Sequence, residues 1–172
     1  MARRDATALE RDFLGAMRRL ASTVTVVTTG DGSRQAGLTA TAVCSLSVAP
    51  PSLLACVNRG AGAHDIIART RRFAVNILAA QQTDLALLFA DPLRASQRFA
   101  KAAWLPSGDG VPIIDGAVAT LVCRLDQAVE AFTHTIFIGL VEEVQLSERD
   151  SLLYGDGRFG RFGPPEQGGP QG

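Results

Sequence analysis

GLTATAVCSLSV, residues 37–48, decides how this chain reads. Successive side chains of a strand point to opposite faces. That sorting puts Thr39, Thr41, Ser45 and Ser47 on one face, with only Val43 interrupting the hydroxyls. Leu38, Ala40, Ala42, Cys44, Leu46 and Val48 fall on the other. Two readings follow. One is an ordinary half-buried strand with its polar side in water. The other is a surface that holds an anion, if a bend near Cys44 turns hydroxyls and backbone N–H groups inward together.

Strands surround this stretch. STVTVVTT (22–29) is rich in β-branched residues, and the turn GDGS (30–33) makes a hairpin into residue 37. Pro50 and Pro51 end the hydroxyl strand, and the apolar SLLACVN (52–58) follows. RFAVNIL (72–78), AVATLVCRLDQAVEAF (117–132), HTIFIGLVEEVQL (134–146) and SLLY (151–154) read as further strands. Helical spacing marks residues 8–21, 64–70 and 81–91, and 92–116 is turn-rich. About seven strands with few helices between them predict a mainly β chain, a closed or nearly closed antiparallel barrel. From Gly155 onward the sequence is Gly- and Pro-rich. The expectation is one domain over residues 1–160 and a flexible tail over 161–172.

Composition narrows the function. The 172 residues are 47% apolar and 20% charged, a globular balance, and the formal net charge is zero. Nucleic acid and anionic membrane surfaces need clustered positive charge, so neither is expected as a partner. No apolar run is long enough to span a bilayer, and MARRDATALERDF lacks the apolar segment of a secretory signal. Cys44, Cys56 and Cys123 lie in apolar stretches without a CxxC pair, which predicts buried thiols in a reducing cytoplasm. His64 and His134 stand far apart with no ligand cluster, so no metal site is expected. No Walker-type loop occurs.

Several segments together resemble the flavin reductase family. They are GLTATAVCSLSVAPPSLLACVNR (37–59), FAVNIL (73–78), LFAD (88–91), Arg98-Phe99 and HTIFIGLVEEV (134–144). These proteins are small NAD(P)H:flavin oxidoreductases, the reductase components of two-component flavin monooxygenases. The resemblance implies a split β-barrel with Greek-key strand order and a homodimer with flavin sites near its interface. It implies FMN, or alternatively FAD, with NADH or NADPH as hydride donor, and a separate monooxygenase that receives the reduced flavin.

Site residues follow from matching positions. The resemblance puts Thr39 and Thr41 toward the flavin ring and ribityl chain, and Ser45 and Ser47 toward the phosphate. Ala40 and Ala42 let backbone approach the ring edge. Groups of Val57, Asn58 and Arg59 meet its polar edge, with Arg59 near the phosphate. Arg98 and Phe99 supply a charge and a ring contact, or are a surface Arg beside a core Phe. His134 sits by the nicotinamide or flavin ring, the candidate catalytic residue. Tyr154 and Phe159 close the pocket or pack the barrel end. Asn76 is either a structural amide or a flavin contact. Relatives carry Ser or Thr shortly after the Asn; here Gly60, Ala61, Gly62 and Ala63 follow. Fewer hydroxyls there suit a flavin that diffuses on and off. A flavin-binding carrier or sensor without turnover is the alternative on the same barrel.

Overall fold

The computed structural model describes residues 8–105, 108 and 110–162. The N-terminal leader reading on residues 1–7 and the tail reading on 163–172 lie outside the described residues. The chain runs α1 (Ala8–Arg18), β1 (Ser22–Thr23), β2 (Thr25–Gly30), β3 (Gln35–Ala40), β4 (Val43–Val48), β5 (Pro51–Asn58), α2 (His64–Thr70), β6 (Arg72–Ile77) and α3 (Thr83–Ala90). A 3-10 turn (Pro92–Gln97) leads to α4 (Arg98–Lys101), β7 (Trp104–Leu105) and β8 (Ile113–Ile114). Two long strands, β9 (Ala119–Ala131) and β10 (His134–Leu146), precede the hairpin β11 (Leu152–Gly155) and β12 (Arg158–Arg161).

Seven strands form one antiparallel sheet in the order β3-β2-β6-β9-β10-β5-β4. Its two edge strands, β3 and β4, are consecutive in the chain and separated only by Thr41 and Ala42. So short a link between opposite edges requires the sheet to curl on itself. Cys56 N–H donates to Ala42 O at 2.9 Å at that corner. No ladder joins β3 to β4 among the described residues, so the curled sheet is mainly β without a demonstrated closure.

The bend therefore falls at Thr41–Ala42 and not at Cys44. Two further expectations need correction. STVTVVTT breaks at Val24 into β1 and β2, because β1 leaves the main sheet to pair with β11. The stretch after Gly155 forms β12, paired to β11 through an Asp156–Gly157 turn. Turn glycines, counted as breakers, here link two strands, and Arg161 belongs to the domain and not the tail.

Packing follows from strand position. Every residue of β2 is buried, as a central strand covered on both faces should be. Val27 joins an inner cluster with Phe73, Val75, Cys123 and Phe137, whereas Val26 joins an outer cluster with Leu78, Leu88, Phe89 and Leu152 against α3. The β2 threonines spend their hydroxyls on carbonyls: Thr25 on Ala40, Thr28 on Pro112 and Thr29 on Arg72, all at 2.6–2.7 Å. Asn76, fully buried in β6, makes four hydrogen bonds. Its amide donates to Val26 O and Thr28 Oγ1, and its oxygen accepts from Ile114 N and Thr120 Oγ1. With every amide valence met inside the core, Asn76 is a structural residue. α1 buries none of its residues.

Candidate functional site

The corner at Thr41–Ala42 changes which hydroxyls share a surface. On β3, Leu38 and Ala40 pack against the inner cluster, so Thr39 points the other way. Its Oγ1 donates to Ala86 O on α3 at 2.7 Å. After the corner it is Val43 that packs inward. Val43 and Ser45 therefore share a direction that Thr39 does not. A β-bulge between Ser45 and Ser47 turns the strand again.

Thr41, Ser45 and Ser47 meet in a cavity of about 540 Å³. Ser22 and Thr23 of β1 and Ser52 of β5 complete its hydroxyl rim, and Val43, Leu53, Val75, Ile77, Leu121 and Val141 line it with apolar surface. Ser47 Oγ accepts from Ala49 N at 3.1 Å and keeps its proton to donate. No Lys or Arg lines this cavity. Its size and its apolar wall with a few hydroxyls suit a planar aromatic ligand. Ser22, Thr23 and Ser52 were not picked out from the sequence. Only the break at Val24, invisible as a pattern, delivers β1 to this rim.

A second group forms where β5 ends. His134 pairs with Asn58 across β5–β10 and with Ala131 across β9–β10. Asn58 Oδ1 accepts from Gly60 N at 2.8 Å, an Asx turn. Arg59 N donates to Thr133 O at 3.0 Å, and its guanidinium meets Glu130 at 3.4 Å. His134 Nδ1 lies 2.8 Å from Thr133 Oγ1. Val57 sends its side chain into the core, leaving only backbone for a ligand. Ala40 and Ala42 flank the corner, two residues of β5 short of Asn58 at Cys56. The other histidine, His64, is structural: Nε2 lies 2.9 Å from Thr135 Oγ1 and Nδ1 2.8 Å from Asp65, with the ring against Phe137.

Arg98 and Phe99 stand apart from both groups, in a cleft of about 210 Å³ that also includes Arg34, Gly37, Gly62 and Ala63. Arg98 fastens three carbonyls, donating to Gly37 O (2.7 Å), Asp91 O (2.8 Å) and Leu88 O (3.4 Å). Burial lowers its pKa, opposed by the nearby Asp91 carboxylate. Phe99 stacks on Trp104 and meets Phe89 edge-on, so its ring belongs to the outer core. Arg34 was not singled out from the sequence. It sits in a turn fixed by Asp31, whose carboxylate is held at about 2 by the hydroxyl of Ser33, then by the N–H groups of Arg34 and Ser33. Tyr154 packs on Phe159 at 5.2 Å and pairs with Ser22, which places this hairpin behind the rim of the larger cavity.

Burial raises the Cys56 thiol, helped by neighbouring Cys44, and pushes Cys123 up to about 12. No group of three or more His, Cys, Asp or Glu able to hold a metal occurs among the described residues, and no described helix is long and apolar enough to cross a membrane.

Residues 17–163 match the flavin reductase like domain, and so span every feature above except α1 before Met17. The chain belongs to the flavin reductase family. Among its relatives, the FMN reductase (NADH) RutF of Stutzerimonas stutzeri is 39% identical over 157 residues, covering 91% of this chain and 88% of its own. RutF of Serratia proteamaculans is 37% identical over 153 residues, covering 87% and 86%. Among solved structures, the NADH:FAD oxidoreductase SgcE6 of Streptomyces globisporus superposes with a TM-score of 0.85 at 34% identity, covering 95% of this chain and 99% of its own. BorF, the flavin reductase component of a bacterial two-component tryptophan halogenase, gives 0.81 at 34% identity over 88% and 96%.

Proposed function

We propose that this flavin reductase oxidises NADH to reduce FMN, and that the reduced flavin passes to a separate flavin-dependent monooxygenase. One observation carries the reading: the apolar cavity with a hydroxyl rim at the Thr41–Ala42 corner, in a family fold. Relatives named FMN reductase (NADH) at 34–39% identity support the choice of flavin and donor. FAD is the alternative flavin, supported by SgcE6 and its complex with NAD and FAD fragments. When bound, flavin supplies the chemistry, accepting a hydride at N5 from nicotinamide C4. The protein's part is to position the two rings and exclude water.

Within this reading Thr41 and the backbone of residues 40–42 hold the ring. Ser45 and Ser47 donate to the phosphate, and His134 with Asn58 and Arg59 flanks the nicotinamide side. The donor set fits: the strands offer hydroxyls and backbone N–H groups where a partly buried phosphate needs them. A cavity without cations favours loose binding, which suits flavin as a diffusing substrate. A second placement of the phosphate rests on charge. The Arg34–Arg98 cleft brings two guanidinium groups beside Gly37 and Gly62, where backbone can approach an anion.

The reading also takes the curled sheet as a split barrel in a single domain, and the cytoplasm as the compartment. It takes the assembly as a homodimer. Support for the dimer comes from α1, whose Leu9, Phe13 and Met17 are all exposed. The test is direct. Purified protein mixed with NADH and FMN should consume NADH only when flavin is present. Tight retention of flavin without NADH loss would overturn the enzyme reading in favour of a carrier.

A further inference from the structure

Phe132 opens the two-residue turn between β9 and β10, across which Ala131 and His134 pair. Its φ is 54°, and its side chain is 100% exposed. Positive φ crowds Cβ against the backbone, so such turn positions take Gly, Asn or Asp. A bulky residue there is an outlier that persists where something compensates for it. Two other non-glycine residues with positive φ occur among the described residues, and both are accounted for. Arg71 ends α2 and donates to Leu125 O and Asp126 O. Asp156 is of a type that tolerates this conformation and precedes Gly157. Phe132 has neither excuse: it is strained, apolar and bare.

Its surroundings indicate what the ring is for. Arg59 is tied to this hairpin through Thr133 O and Glu130. His134 follows the turn and faces Asn58. An exposed aromatic plane beside a guanidinium, an imidazole and an amide recognises a ligand with both a flat ring and an anionic group. The Thr41–Ala42 corner joins β5 at Cys56, two residues or about 7 Å from Asn58, so the hairpin adjoins the proposed ring site.

We propose that Phe132 is the stacking platform for the adenine ring of the hydride donor, with Arg59 beside its pyrophosphate. The proposal rests on the NADH:flavin reductase reading. Hydride transfer requires the nicotinamide to lie on the flavin, so adenine is the ring left for an exposed platform. Phe132 is then a specificity-determining residue, separate from the chemistry.

The experiment compares two donors, NADH and reduced nicotinamide mononucleotide, which lacks the adenosine half. Phe132→Gly should raise KM for NADH about tenfold, within the range for losing one base–aromatic stack. It should leave KM for the mononucleotide and kcat at saturating NADH unchanged. Phe132→Tyr should keep KM for NADH within about twofold, because the plane is retained. Since glycine suits φ 54°, Phe132→Gly should melt no lower than wild type, which separates lost stacking from lost folding. An unchanged KM for NADH in Phe132→Gly, or an equal rise for both donors, would overturn the proposal. Wild-type protein that oxidises neither donor with FMN would overturn the reductase reading itself, and this proposal with it.

Discussion

The ring of Phe73 lies against the backbone of Gly139. A Cβ built at residue 139 would fall 2.6 Å from Phe73 Cζ and 2.8 Å from Cys123 Cβ. Phe73 and Cys123 are both fully buried, so neither can move aside cheaply. Gly139→Ala should therefore cost about 1–3 kcal/mol, the usual range for overpacking a filled core. Gly160, where a Cβ would meet nothing within 4 Å, is the control. Urea melts of Gly139→Ala and Gly160→Ala read the difference. Equal stability of the two would show that the inner core yields at β10.

The thiol of Cys123 makes stability depend on alkaline pH. Burial first, and the Glu142 carboxylate second, push it up from 9.0 to about 12 in the folded chain. Below pH 9 both folded and unfolded chains hold the proton, and the contribution of the buried neutral thiol is complete. Between pH 9 and 12 the unfolded chain gives up its proton while the folded chain keeps it, so stability falls as pH rises. The slope from one such group approaches about 1.4 kcal/mol per pH unit. Cys56, also raised by burial, adds in the same direction. Denaturant midpoints from pH 8 to 11 should decline less steeply in Cys123→Ala than in wild type. Parallel curves would mean that Cys123 does not govern the loss.

Element types were legible in the sequence because periodicity is a local property, and the strands around Phe73 and Phe137 follow it closely. Position relative to other strands is not local. Thr39 and Ser45 look like one face only while residues 37–48 are taken as one strand, and the corner at Thr41–Ala42 has no breaker residue to announce it. The small residues that permit the corner are the same ones that suit a strand beside a ligand. β12 escaped for the opposite reason, since Asp156–Gly157 reads as the end of structure unless a pairing partner is known. The adjacency of His134 and Asn58 has no local signal, because they stand 76 positions apart in the chain. Asn76 shows the limit most plainly: one amide in an apolar strand reads equally as ligand contact or core network until Thr28, Ile114 and Thr120 are seen around it.

α1 makes the association state testable. It has only 11 residues and buries none, and an isolated helix of that length is marginal in water. Leu9, Phe13 and Met17 form its exposed stripe, so something must cover it for the helix to persist. A second copy of the chain is the occupant favoured by the homodimer reading. Phe13→Asp with Met17→Asp should shift the mass seen by light scattering from dimer to monomer, and should lower helical content. A wild-type monomer, or a dimer indifferent to both changes, would remove α1 from the interface.

The phosphate position can be settled by comparing FMN with riboflavin, which has the same ring and no phosphate. Ser45 and Ser47 line a cavity without Lys or Arg, so hydroxyls, theirs among them, are the side-chain groups a phosphate would meet there. Ser45→Ala with Ser47→Ala should weaken FMN at least about tenfold, equivalent to one lost hydrogen bond to a charged group, and riboflavin hardly at all. Arg34 provides the counter-test, because it brings charge to the other cleft without the structural ties of Arg98 to three carbonyls. If Arg34→Ala selectively weakens FMN while the double serine variant does not, the phosphate lies between Arg34 and Arg98. The ring would then approach the Thr41–Ala42 corner from the α3 side of the sheet, the side on which Thr39 is fastened to Ala86. Flavin fluorescence titrations of the three proteins with both ligands distinguish these arrangements, since each variant removes the candidate contacts of one site and leaves the other intact.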